Sequence, residues 1–170
     1  MPPRSRIAFA VVIASVALLS YVIFGSSDED KILFRLKELA RAVETRSDET
    51  NVLLRTARIN GVFKDGLEPN VTFSAPELPS KSGIRELAVL AGEAPRAFGE
   101  FKLALGATDI HIEGPLARAV SEVVLTGARG GELHGDRRSV RFELHRSGSE
   151  WRVSHIDVAQ KSPQQPEARP

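Results

Sequence analysis

His155 and Asp157 are the residues of this chain whose types and spacing could do acid–base chemistry. They stand two apart in Trp151-Arg-Val-Ser-His-Ile-Asp-Val158, so on a strand both side chains leave the same face. An imidazole beside a carboxylate can serve as a general base, or as a polar contact for a ligand, inside an otherwise apolar pocket. The competing arrangements are a histidine whose ring nitrogens are satisfied by Asp157 or by backbone, and a β-bulge that returns Ile156 and Val158 to the core and turns His155 outward. His111, His134 and His145 fall at polar strand positions or in a turn, with no His-x-x-x-His spacing, so no metal site is expected. The chain has no cysteine, which excludes thiolate catalysis, disulfides and cysteine metal ligands. The glycines at 127, 130 and 131 form neither a phosphate loop nor a dinucleotide fingerprint, and no cofactor is expected.

The elements that must position these residues begin with a hairpin. Val140, Phe142 and Leu144 alternate with Arg141, Glu143 and His145, and Trp151 and Val153 resume the alternation after Ser147-Gly-Ser-Glu150. A four-residue loop there predicts Leu144 opposite Val153 and Phe142 opposite His155, which would put His155 on the apolar face. Arg137, Arg138, Arg141, Arg146 and Arg152 gather near this hairpin, but Glu132, Asp136, Glu143 and Glu150 interleave with them, which predicts a solvated mixed-charge face.

Upstream, Ser26 and Ser27 before Asp28-Glu-Asp30 predict a helix start, with Ile32, Leu36, Leu39, Ala40 and Val43 on its buried stripe. Ser47 or Asp48 is expected to cap a second helix with Val52, Leu53, Thr56, Ala57, Ile59, Asn60 and Phe63 along one side. A brief edge strand is expected over Val71–Ala75, then a proline-rich loop over Pro76–Pro79, then a third helix from Ser82 that Gly92 and Pro95 stop. About four antiparallel strands should follow, with Gly114-Pro115 and Gly127–Gly131 as turns. Segregated helices and strands point to an α+β fold.

Before all of this, 7–24 is an apolar run of 18 residues without a charge, close to the minimum length of a membrane-spanning helix. Arg4 and Arg6 precede it and Asp28, Glu29 and Asp30 follow it. The positive-inside rule then keeps residues 1–6 cytoplasmic and puts the rest, including a domain over 28–159, outside the cytoplasm. Cleavage near Gly25-Ser26-Ser27 is the competing fate. Formal charge is +1; without Arg4 and Arg6 it is 21 cations against 22 anions, or −1, which gives no electrostatic reason to expect nucleic acid as a partner. The Pro- and Gln-rich tail 160–170 is expected to be disordered.

The amphipathic helix Lys31–Thr45, the run Phe63-Lys-Asp-Gly-Leu-Glu-Pro-Asn-Val-Thr-Phe73, the Ser82-Gly-Ile-Arg-Glu-Leu helix and the terminal hairpin together resemble the nuclear transport factor 2-like superfamily, the cystatin-like cone. That resemblance implies three helices on a curved, mostly antiparallel sheet of about four to six strands, with a pocket inside the cone and often a dimer across the outer sheet face. Ketosteroid isomerases of this superfamily use an aspartate base and a tyrosine oxyanion hole. The single tyrosine here, Tyr21, lies in the apolar run and departs from that pattern. The anchor-plus-domain layout is similar to that of inner-membrane scaffold subunits of type IV secretion systems. The expectation is therefore a non-catalytic binding or scaffold domain of a bacterial envelope, partnered by the membrane and by a second copy or an envelope protein. The alternative is a ligand-binding or isomerase- or hydrolase-like enzyme that uses His155 and Asp157 in the cone.

Overall fold

The structure is a computed structural model that describes residues 27–45, 51–129 and 132–159. Three helices, α1 (Asp28–Val43), α2 (Val52–Gly66) and α3 (Ile84–Phe98), accompany six strands: β1 (Leu67–Ala75), β2 (Leu78–Ser82), β3 (Glu100–Glu113), β4 (Leu116–Arg129), β5 (Glu132–Ser147) and β6 (Glu150–Val158). The strands form one curled sheet in the order β2-β1-β6-β5-β4-β3. Every pairing is antiparallel except β1 with β6. The apolar run 7–24 and the tail 160–170 lie outside the described residues. No helix among the described residues is long and apolar enough to cross a membrane.

Helix α1 starts where its capping box dictates. Ser27 Oγ accepts from Asp30 N at 3.1 Å, and the Asp30 carboxylate accepts from Ser27 N at 3.1 Å. Its buried stripe is Ile32, Leu36, Leu39 and Ala42, with Ala42 in the place expected of Ala40. At the other end Arg55 Nη1 donates to Glu44 O at 3.0 Å, Arg55 Nη2 donates to Val43 O, and Arg58 Nη1 donates to Ala42 O at 2.8 Å. Two guanidinium groups thus occupy the negative end of the helix dipole and satisfy carbonyls that have no partner within the helix.

That clamp explains where α2 departs from its expected face. Its buried side is Arg55, Ile59, Phe63 and Gly66, whereas Leu53 is 80% exposed and Ala57 also faces solvent. The cap is Asn51, whose Oδ1 accepts from Leu53 N and Leu54 N; Ser47 and Asp48, expected to cap this helix, lie outside the described residues. Helix α3 runs through both residues expected to stop it. Pro95 lies within its last turn, and the chain turns away only at Gly99, which has φ +69°. Gly92 is needed for a different reason: a Cβ there would overlap Thr56 Oγ1, so the glycine sets how closely α3 crosses α2.

Two strand expectations also change. The Pro76–Pro79 stretch is not a loop throughout, because Pro79 belongs to β2, and β2 forms the sheet edge where a residue without an N–H is tolerated. The segment expected as the edge is the second strand, β1, held between β2 and β6. At the opposite edge, the residues after α1 partly cover β3: Thr45 N donates to Phe101 O at 3.0 Å, and Glu44 Oε1 accepts from Leu103 N at 3.1 Å.

All three helices pack on one face of the sheet. The core there is continuous, joining Ile32, Leu36, Leu39, Ile59, Phe63 and Leu87 from the helices to Leu67, Val71, Ala117, Ala119, Leu144, Trp151 and Val153 from the strands. Ala117 and Ala119 supply small residues on β4 opposite Leu144 and Phe142, which leaves room for helix side chains above the middle of the sheet.

Candidate functional site

Side-chain direction on β6 decides what His155 and Asp157 can reach. Leu144 pairs with Val153 as expected, but the next partners are Glu143 with His155 and Phe142 with Ile156. One extra residue, Ser154, is accommodated between them, and its hydroxyl donates to Glu143 O at 3.1 Å. This bulge corrects the expected Phe142–His155 pairing, and it returns Ile156 to the core side while aiming His155 and Asp157 at the opposite, convex face. The turn itself is shorter than expected: Ser147 pairs with Glu150 across Gly148, at φ +65°, and Ser149.

On the convex face His155 Nδ1 and Thr72 Oγ1 share a 2.5 Å hydrogen bond, and β1 contributes Ser74 opposite Asp157. Asp157 stands 3.9 Å from Arg141, so its nearest charged partner is that guanidinium. The neighbouring rungs repeat the arrangement, with Arg118–Glu143 at 4.0 Å, Arg137–Glu122 at 3.3 Å and His145–Glu68 at 3.0 Å. His111 meets Glu113 at 3.0 Å on the same face. The exposed apolar residues Leu116 and Val120 stand among these pairs. Such pairs are half-exposed and each contributes little to stability, so their interest is as a pattern of alternating charge. Chemically, Thr72 and His155 make a hydroxyl–imidazole pair, and among the described residues no carboxylate is bonded to the other ring nitrogen to orient it. The face offers alternating donors and acceptors on a broad, firm sheet.

Four of the five arginines near the hairpin part company. Arg137 and Arg141 join the convex ladder, while Arg146 stacks over the Trp151 ring at 4.8 Å and pairs with Asp28 of α1. Arg138 stands on the concave face, next to Val140 in the alternation and opposite Val123. There it donates to Glu77 Oε1 at 2.8 Å and to Asp136 Oδ2 at 3.1 Å. Reading Val140, Arg138 and Asp136 as one continued period-two series would have found this inward-facing pair from the sequence; Glu77 arrives only through the β1–β2 turn.

Arg138 thus stands between two carboxylates on the concave side. The hydrogen bond from Arg138 holds the Glu77 carboxyl below its ordinary value, and that same bond raises Arg138. With one carboxylate on either side, the guanidinium works as a latch from β5 past the end of β6 to the β1–β2 turn; an incoming anion would have to displace Glu77 or Asp136. A lowered carboxyl value stabilises the fold above its unfolded value, near 4.5, and the contribution disappears as pH falls through the folded value. Urea midpoints of wild type and Glu77→Gln should therefore differ at neutral pH and converge in acid. A difference that grew on acidification would show that the latch does not act through the Glu77 charge.

A cleft of about 710 Å³ opens on the outside of the molecule, between α1 and the β5–β6 turn, lined by Asp30, Phe34, Arg35, Glu38, Glu150 and Trp151 among others. Arg35 crosses it to Glu150 at 2.8 Å. No group of three or more His, Asp or Glu side chains able to hold a metal ion is present among the described residues.

Solved structures with the same arrangement are numerous. A nuclear transport factor 2-like protein with a cystatin-like fold from Novosphingobium aromaticivorans superposes with a TM-score of 0.63 at 15% identity, covering 91% of this chain and 90% of that one. A protein provisionally assigned as an aromatic ring hydroxylase from the same organism gives 0.64 at 17% identity, covering 82% and 94%. The association domain of Caenorhabditis elegans CaMKII gives 0.59 at 14% identity, covering 78% and 95%. No protein-family profile and no curated protein sequence matches the chain. The fold is nuclear transport factor 2-like, and the proteins that share it differ in what their names say they do.

Proposed function

We propose that this domain is a non-catalytic binding or scaffold module of a bacterial envelope, tethered to the cytoplasmic membrane by the apolar run 7–24, exported, and working through the convex face of its sheet. The observation that carries this reading is the division of labour between the two faces. Packed side chains from Ile32 to Val153 occupy the helix-covered face, and the polar cluster beside them is closed on itself through Arg138. No described helix covers the convex face, which presents His155 and Asp157 with the charge ladder around Val120. As binding residues, His155 and Asp157 therefore contact a macromolecule on that face.

The dimensions suit such a contact. Strands β3 and β4 each have 14 residues, and six strands at about 4.8 Å spacing with a rise of about 3.3 Å per residue give a face on the order of 1,000 Å². A standard interface takes about 800 Å² from each partner. A ladder of alternating arginine and carboxylate is also self-complementary under a two-fold axis, which favours a second copy of the chain as partner.

Sedimentation of the full chain in mild detergent should report a dimer. The double substitution Val120→Glu with Arg141→Glu should give monomer with an unchanged circular dichroism spectrum. A wild-type chain that stayed monomeric and recovered no envelope partner would overturn the reading.

A further inference from the structure

One end of the domain is assembled around Arg146. Its guanidinium pairs with Asp28 in the first turn of α1 and stacks on Trp151 just after the β5–β6 turn, while its backbone N–H donates to Pro115 O in the β3–β4 turn at 2.8 Å. Arg35 to Glu150 at 2.8 Å adds a second tie between α1 and β6. Three chain features, the start of α1, the turn at Gly114-Pro115 and the turn at Gly148-Ser149, are thereby fixed side by side. Gly114 at φ +60° and Gly148 at φ +65° form the two turn apexes, and a Cβ added at either would meet nothing within 4 Å. Leu116, half exposed, stands beside the first apex.

The chain ahead of this end is very short. Gly25 and Ser26 alone separate Phe24, the last residue of the apolar run, from Ser27, whose side chain caps α1. Three Cα steps reach at most about 11 Å, and the headgroup layer on each side of a bilayer is about 5–8 Å thick. A domain tethered this way cannot stand away from the membrane, and its rigid capping box gives the tether no slack at the domain end.

Resting on the anchor reading given above, we infer that the end built around Arg146 is a lipid-facing surface, and that α1's first turn and the two hairpin turns lie against the headgroups. The charges at this end are compatible with that placement. Asp28 is neutralised by Arg146 and has Lys31 at 3.5 Å, and the Asp30 carboxylate is engaged by Ser27 N and Oγ. In the first turn Asp28 and Asp30 are thus engaged while Glu29 stays exposed, and the apex carries Pro115 and Leu116, which suit the interfacial layer. The convex sheet face then rises from the bilayer with the long strands running away from it, which leaves it open to a neighbour anchored in the same membrane.

The lack of cysteine makes a direct test simple. Single thiols from Leu116→Cys, Ser149→Cys and Thr126→Cys are labelled with a small fluorophore in the full chain. The proteins are then reconstituted in phosphatidylethanolamine–phosphatidylglycerol vesicles carrying a headgroup nitroxide, which quenches only at contact range. Quenching should be several-fold stronger at 116 and 149 than at 126, ten residues up β4 from Leu116. A long Gly-Ser insertion between Gly25 and Ser26 should abolish the difference. Protein that fails to float with vesicles refutes the anchor, and the orientation with it. Protein that floats but is quenched as strongly at 126 as at 116 refutes the orientation and leaves the anchor standing.

Discussion

Trp151→Ala should destabilise the domain by about 3–5 kcal/mol, the usual cost of truncating a fully buried indole. Trp151 is 1% exposed, lies within the cluster that joins the helices to the strands, and supports the Arg146 guanidinium on its ring. Among the described residues its buried Nε1 has no hydrogen-bond partner, so packing accounts for its contribution and a polar contact does not. Trp151→Phe should accordingly recover most of the loss. Urea denaturation of the two variants measures this, and an alanine cost under about 1 kcal/mol would mean that the centre of the core is elsewhere.

Arg55→Met should cost about 3 kcal/mol, a loss that sequence periodicity alone would not anticipate. Arg55 is 2% exposed, and its two donors meet the carbonyls of Val43 and Glu44, with the Phe101 ring 5.7 Å from the guanidinium carbon. Methionine keeps much of the volume but leaves buried carbonyls without those donors, at about 1–3 kcal/mol for each unsatisfied group. Arg55→Lys should recover only part of the loss, since an ammonium keeps the charge at the helix end but cannot bridge two carbonyls with a planar fork. Equal stabilities for wild type and Arg55→Met in urea would show that the end of α1 does not need the clamp.

Arg55 also marks the boundary of what the chain reveals by itself. Helix starts and apolar stripes are local, and the Ser27–Asp30 box, the Ile32–Leu36–Leu39 stripe and the hairpin pairing of Leu144 with Val153 could be read directly. An arginine buried to cap another helix depends on a tertiary neighbour, so Leu53 looked like the better core residue although it points to solvent. The parallel partnership of β1 with β6 joins segments about 80 residues apart, and no periodicity encodes it. Pro79 masked β2 because proline reads as loop until an edge position is available.

The candidate site was legible in composition, and its direction stood open between a pocket-facing His155 and the bulge that turns it outward, which is the arrangement found. His155 and Asp157 do share a face, as their spacing required, but a single inserted residue at Ser154 changed which face that is. Arg138 and Asp136 continue the inward series of the same hairpin, yet their charge made the solvated reading the natural one. The superposed structures carry the fold across at 14–17% identity and bring no site residue with them.

On the function proposed above, the convex sheet face, and not the helix-covered side, meets the partner. Photo-crosslinking in intact cells tests it directly, with a benzophenone amino acid placed at Val120 on the convex face or at Val89 on the outside of α3, both of them exposed. A discrete adduct at 120, absent at 89, is the predicted result. Adducts at 89 with none at 120 would contradict the account.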